Sequence, residues 1–286
     1  MVASFVKKGD LHMSVPAFKT EKVSDRITRI YAFASELMYL VEGDKRAALL
    51  DTGSGVGFVR PVVDLLTDKP VVVLLTHGHV DHAMGASEFP AEDVYINQED
   101  AYIYKDHGTY EFRQSGLFLM GPEGEAVVPE EDFTPLVPIT AYHNLKEGDR
   151  FDLGGISVEM YACPGHTKGS LVMLIPEERM LLLGDSCNGF TFIFEDYSTS
   201  VEEYQASLIR LEQLLEGKYD TVLASHGDGK LDINIIQENI DLCKKILDGT
   251  ADKGPMVFRG NHGLIANTKA KPGHGNIVYN PGNIRK

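Results

Sequence analysis

Tryptophan is absent from this 286-residue chain, cysteine occurs only three times, and basic residues are outnumbered. Cys163, Cys187 and Cys243 are odd in number and widely spaced. That is no disulfide framework, and it suits a reducing cytoplasm. Lys and Arg total 27 against 42 Asp and Glu, a formal charge of −15. Such a surface repels polyanions, so nucleic acids and anionic membranes are not expected partners. No apolar run approaches the roughly 20 residues of a membrane helix. The first twenty residues carry lysines without an apolar stretch behind them, so no secretory signal is expected. What is present is a large apolar fraction, 43% of residues, enough for a sizeable core. A soluble, cytoplasmic protein acting on a small molecule is the expectation. The oligomeric state is left open, a homodimer included.

Runs of β type come first, at 26–33, 37–43 and 46–53, with Gly43-Asp44 as a hairpin turn between the last two. Apolar spacing predicts a helix over 58–66, and the run 71–76 reads as a buried strand. A strand at 93–97 precedes a helix from Gln98 to about Asp106. Residues 107–140, rich in Pro, Gly and Glu, read as an irregular excursion. Strands return at 150–165, 170–176 and 179–185. A helix over 201–216, a strand opening 220–228 and a helix over 233–249 closed by Gly249 follow. Residues 1–249 are therefore assigned to one domain. The tail, 250–286, is rich in Gly and Asn and carries six Lys or Arg against one Asp. It is read as wrapping the same domain, with a lid over a substrate pocket as the alternative. Two sheets packed face to face with helices outside is the economical architecture.

The chemistry concentrates in "HGHVDH". His77, His79, Asp81 and His82 follow directly on a buried strand. Grouped there without a common partner, they would be costly to desolvate. A divalent cation removes the cost, because neutral imidazole and carboxylate are its ligands. Residues 77 and 79 can aim at one point, and 81 and 82 at a neighbouring one. His166 in "CPGHTKGS", Asp185 in "LLLGDS" and His226 in "VLASHGDG" each stand past a strand, and together they complete a two-metal set. Two ions about 3.5–4 Å apart can hold a bridging hydroxide at neutral pH, which points to metal-assisted hydrolysis with no Ser or Cys nucleophile. Asp81 is the candidate catalytic residue, orienting the nucleophile or shuttling a proton. Asn188 and Tyr197 are candidate substrate-binding donors, and Cys187 could approach the same site. His107 and His143 read as surface residues. His262 and His274 belong to the tail.

This order of motifs, H-x-H-x-D-H, G-H-T, G-D and a strand-terminal His, resembles the metallo-β-lactamase fold superfamily over roughly residues 23–248. "LLDTG", with Asp51, is similar to that superfamily's early strand-end aspartate. The resemblance implies an α/β fold, a four-layer αββα sandwich with the metals at one edge. It implies that His77, His79 and His166 bind one metal and that Asp81, His82 and His226 bind a second. Asp185 would bridge the two. Five imidazoles with two carboxylates suit zinc, and His79 stands where diiron relatives carry Glu; iron or manganese are the alternatives.

Within the superfamily, glyoxalase II resembles the chain in T-H-x-H-x-D-H, Thr76 to His82, but the tail is unlike its helical thioester-binding domain. Acyl-homoserine lactonases share the ligand set, yet their tyrosine three residues past the bridging aspartate is Asn188 here. A binuclear zinc hydrolase of a small ester, thioester or lactone is the expected function. The alternatives are a small phosphodiester hydrolase and a diiron redox or sensor protein.

Overall fold

The computed structural model describes residues 18–32, 35–117 and 128–286. The N-terminal reading at 1–17 and the middle of the 107–140 excursion, 118–127, lie outside the described residues. The chain divides into two compact units. The first is Met1–Leu145 with Leu153–Gly155, and the second is Lys146–Asp152 with Ile156–Lys286.

The first unit is built on a seven-stranded sheet in sequence order: β1 (Lys19–Lys22), β2 (Ile27–Tyr31), β3 (Leu37–Glu42), β4 (Ala47–Leu50), β5 (Val71–Leu74), β6 (Val94–Ile96) and β7 (His143–Asn144). Strands β1 to β4 form an antiparallel meander, and β4 to β7 run parallel. Strands β4 and β5, AALL and VVVL, are buried almost throughout, the pattern of strands covered on both faces. A parallel pair needs a crossover, and helix α1 (Arg60–Leu66), with proline in its first turn, supplies it. Val63 of α1 packs with Leu49, Val73 and Leu75 in the core of this unit. The β3–β4 turn requires glycine at position 43, because a Cβ there would stand 2.0 Å from the Leu153 carbonyl oxygen.

Helix α2 (Val80–Ala83) is a single turn just past β5. Helix α3 (Ala101–His107) follows a 3-10 turn at Gln98–Asp100, where a continuous helix from Gln98 was expected. Helix α4 (Tyr110–Gly116) lies inside the stretch read as irregular. The Thr109 hydroxyl caps it by accepting from the Phe112 amide.

The second unit holds two sheets. Strands β8 (Arg150–Asp152), β9 (Ser157–Ala162), β10 (Leu171–Ile175), β11 (Met180–Leu182) and β13 (Thr221–Leu223) form one, in the order β13-β11-β10-β9-β8. It is antiparallel except for the parallel pair β11–β13. The other sheet runs β12 (Thr191–Ile193), β16 (Ile277–Tyr279), β15 (Asn261–Ile265), β14 (Gly254–Phe258). Residues 250–286 thus supply three of its four strands.

Helix α5 (Val201–Leu215) opens with a capping box between Ser200 and Glu203, and buries Tyr204, Leu208, Leu211 and Leu215 on one face. Helix α6 (Ile235–Leu247) buries Ile236, Ile240, Cys243 and Ile246, and Gly249 at φ +74° follows it as the spacing predicts. Among the described residues, no helix is long and apolar enough to cross a membrane.

All three cysteines are free and buried. Burial pushes the Cys187 thiol up to about 12, and its sulfur accepts from Asn239 Nδ2 at 3.0 Å. Cys187 is therefore a core thiol and not a site residue. Burial also raises Cys163 and Cys243. Since the thiolate is the reactive form, the native protein should leave a disulfide-exchange reagent unreacted at pH 8. Three thiols should titrate after denaturation; any rapid native reaction would contradict this burial.

Candidate metal centre

In the first unit the site begins with two adjacent parallel strand ends. Asp51 follows β4 and Thr76 follows β5, and both are buried. Asp51 Oδ1 accepts from the Thr76 amide at 2.8 Å, and the Thr76 hydroxyl donates to both carboxylate oxygens at 3.0 and 2.9 Å. With its one proton so engaged, Thr76 Oγ1 can only accept, at 3.0 Å, from His77 Nδ1–H. Asp51 Oδ2 also accepts from His82 Nδ1–H at 2.8 Å. One carboxylate therefore sets the tautomer of two imidazoles, His82 directly and His77 through Thr76. In both, Nε2 is then the nitrogen that carries the lone pair.

The loop between them is held from outside as well. The buried Asp100 carboxylate accepts from the Gly78 amide at 2.9 Å. His77 Nε2 and His79 Nδ1 stand 3.0 Å apart. His79 is also the residue before α2, and it stacks on His107 with ring centroids 5.0 Å apart. The turn of α2 then carries Asp81 and His82, with Asp81 Oδ2 lying 3.7 Å from His82 Nε2. His77, His79 and His82 are buried, while a third of the Asp81 side chain is exposed.

In the second unit, His166 follows β9, Asp185 follows β11 and His226 follows β13. His166 Nδ1–H donates to the Phe192 carbonyl at 2.8 Å, which again makes Nε2 the lone-pair nitrogen. Ser198 fixes the His166 backbone by donating to its carbonyl at 2.9 Å. Asp185 lies between the two imidazoles, 3.7 Å from His166 Nε2 and 3.1 Å from His226 Nε2. Asn188 Nδ2 donates to Asp185 Oδ1 at 3.1 Å, and its Oδ1 accepts from the Phe190 amide at 2.7 Å. Both ends of that amide are thus engaged within the loop, and Asn188 steadies Asp185. Tyr197 is half-buried in the same segment.

This donor chemistry fits divalent cations. Buried imidazoles whose far nitrogen is hydrogen-bonded to a carboxylate, hydroxyl or carbonyl are the usual form of histidine ligands. Asp51, Thr76, Asp100 and His107 surround the candidate ligands of the first unit, and Ser198 supports His166 of the second. Of these, Asp51, at a strand end, and Thr76, at the head of T-H-x-H-x-D-H, have a sequence signal. His107, read as a surface residue, is packed between His79 and Phe112. His143 is exposed and stacks on Tyr95. Substituting Asp51 with Asn should weaken metal affinity about 10- to 100-fold by releasing both tautomers. Titration against a competing chelator checks this, and affinity within twofold of wild type would refute it.

Residues 33–226 match the metallo-β-lactamase superfamily. A protein of Mycobacterium tuberculosis (strain ATCC 25618 / H37Rv) is 32% identical over 133 residues, covering 45% of this chain and 54% of that one. The chain thus matches about half the length of that relative. Hydroxyacylglutathione hydrolase GloC of Haemophilus influenzae is 24% identical, covering 70% of this chain and 89% of that one. Acyl-coenzyme A thioesterase MBLAC2 of Gallus gallus is 26% identical, covering 66% and 71%. Among solved structures, a metallo-β-lactamase from Pontibacter korlensis superposes with a TM-score of 0.55 at 18% identity, covering 78% of this chain and 97% of that one. The fold is the mixed α/β fold of these proteins, and the chain belongs to the metallo-β-lactamase superfamily.

Proposed function

We propose that the protein is a binuclear metal-dependent hydrolase of a small ester, thioester or lactone, acting in the cytoplasm. His77, His79 and His166 would hold one divalent ion, and Asp81, His82 and His226 a second, with Asp185 shared. The observation that carries this reading is the repeated pattern at His77, His82 and His166. In each, Nδ1–H is given to an oxygen, which makes Nε2 the lone-pair nitrogen of the ring. The position of Asp185 between His166 and His226 supports its shared role. Two relatives are named for thioester substrates, which supports that bond class.

Bound there, two divalent ions would lower the pKa of water toward 7 and polarise the substrate oxygen. The protein's own part is orientation. Asp51 and the Phe192 carbonyl fix three ring tautomers before substrate arrives, so no reorganisation is needed during the reaction. Asp81, partly open to solvent, would orient the nucleophile or shuttle a proton. Asn188 holds the Asp185 carboxylate in place. Tyr197 is the candidate donor toward the substrate. Zinc suits five imidazoles and two carboxylates, and the charge of −15 favours uncharged substrates over polyanions.

The deciding experiment is metal analysis of protein purified without added metal, followed by an ester, thioester, lactone and phosphodiester panel. Two zinc ions per chain with turnover of one of the first three supports the proposal. Iron with a visible spectrum, phosphodiester turnover alone, or no bound metal overturns it.

A further inference from the structure

We propose that Phe190, Phe192 and Phe258 form a subsite for an apolar acyl or aryl group of the substrate, an inference that rests on the hydrolase reading above. Phe190, Phe192 and Phe194 alternate along and just beyond β12, so their rings share one face of the strand. Thr191 and Ile193, on the other face, are buried. Phe192 lies 5.8 Å from Phe190, 5.4 Å from Phe194 and 5.1 Å from Phe258, measured between ring centroids. Exposure is graded along the row: Phe190 is 38% exposed, Phe192 and Phe258 are half-buried, and Phe194 is 4% exposed.

Strands β12 and β14 are the two edges of their sheet. In a flat four-stranded sheet the edges lie roughly 14 Å apart. Phe192 and Phe258 nevertheless touch, so their rings lean toward each other across the face they share. The deep end is closed, since a Cβ at Gly263 would already stand 3.2 Å from the Phe194 ring. The open end is at Phe190. On this proposal the row, buried at Phe194 and exposed at Phe190, is the floor of an apolar trough whose mouth is at Phe190.

Its position ties it to chemistry. The Phe192 carbonyl is the group that orients His166, and Phe190 lies two residues past Asn188, which holds Asp185. The segment that forms the mouth thus carries the supports of two metal ligands. Three part-buried rings, each contributing less than the roughly 150–250 Å² of a whole aromatic side chain, fall short of the approximately 800 Å² per partner of a stable protein interface. The trough fits a small apolar group better than a second copy of the chain. Nothing charged or hydrogen-bonding is contributed by the rings themselves, so discrimination there is by apolar surface.

The test uses the metal-loaded enzyme and thioesters of one thiol with acetyl, butanoyl and hexanoyl groups. Each methylene entering the trough should raise kcat/KM about three- to fourfold, mostly through KM. Phe190→Ala and Phe258→Ala should each lower the hexanoyl-to-acetyl preference about tenfold. Phe192→Leu, which keeps an apolar side chain in place, gives the same reading in smaller measure if an alanine variant fails to fold. Calorimetry with non-hydrolysable methyl and hexyl thioether analogues reads the trough without turnover. Loss of the hexyl advantage in Phe190→Ala supports the subsite. An unchanged chain-length preference in both alanine variants overturns it, and so does a dimer on gel filtration that the same variants dissociate. If no ester, thioester or lactone is turned over, the hydrolase reading falls, and the calorimetric comparison still decides the subsite.

Discussion

Replacing His79 with alanine is expected to lower kcat/KM by about a thousandfold or more and to leave one metal ion per chain instead of two. A Lewis-acidic ion supplies several kcal/mol of transition-state stabilisation, and each 1.36 kcal/mol is a factor of ten in rate. His79 is a sensitive position because its surroundings cannot substitute for it. Its Nδ1 stands 3.0 Å from His77 Nε2, and its ring is stacked on His107. An alanine there opens a cavity walled by those two rings. His82, held separately by Asp51, should keep its ion, so the metal count falls by one and not by two. Elemental analysis of the variant beside wild type checks the count, and steady-state kinetics on the best substrate checks the rate. Full activity in the variant would remove the binuclear reading altogether.

Much of this site is legible in the sequence, and the reason is local. The candidate ligands lie just past short buried runs, and a strand end is where side chains from different loops can face a common space. "VVVLLTHGHVDH" shows the strand and its loop together, and "LLDTG" places Asp51 on the adjacent strand end. The helices α5 and α6 are legible for a similar reason, because their apolar spacing persists over three or more turns.

What stays hidden depends on residues distant in the chain. Asp100 and His107 act on the H-x-H loop only because the turn before α3 and the end of α3 come back beside it. Strand β12 is three residues long and finds its partner, β16, more than eighty residues later. The strands of the tail are short and diluted by Gly, Asn and Lys, so alternation over them is too brief to stand out. Helix α4 sits in a stretch whose Pro and Gly content argues for irregular backbone, and its capping threonine is the one local sign of a helix start.

Replacing Arg113 with alanine should cost the first unit on the order of 3–5 kcal/mol, comparable to breaking a buried ion's network. Arg113 is 4% exposed and lies over the Phe133 ring, its guanidinium carbon 4.7 Å from the ring centroid. Burial pushes its pKa down to about 10, so it is still a cation at neutral pH and its desolvation opposes folding. Oxygen acceptors offset that cost. Nη1 donates to the Thr134 carbonyl at 2.6 Å, and Nη2 donates to Ser54 O at 3.0 Å, Gly55 O at 2.8 Å and Thr134 Oγ1 at 3.1 Å. Alanine would leave buried carbonyls without this donor, at about 1–3 kcal/mol for each left unsatisfied, and would open a cavity beside Phe133. For a chain of this size, the loss corresponds to a fall in Tm of roughly 10 °C. Lysine should recover only part of it, because a single ammonium cannot reproduce the planar fork that reaches both the 54–55 turn and Thr134. That turn begins three residues past Asp51, so the alanine variant should also bind metal more weakly even where it remains folded. Calorimetric unfolding of the alanine, lysine and wild-type proteins, each metal-free, separates the structural cost from the metal contribution. An alanine variant within 1 kcal/mol of wild type would mean that the guanidinium is not what holds the 54–55 turn.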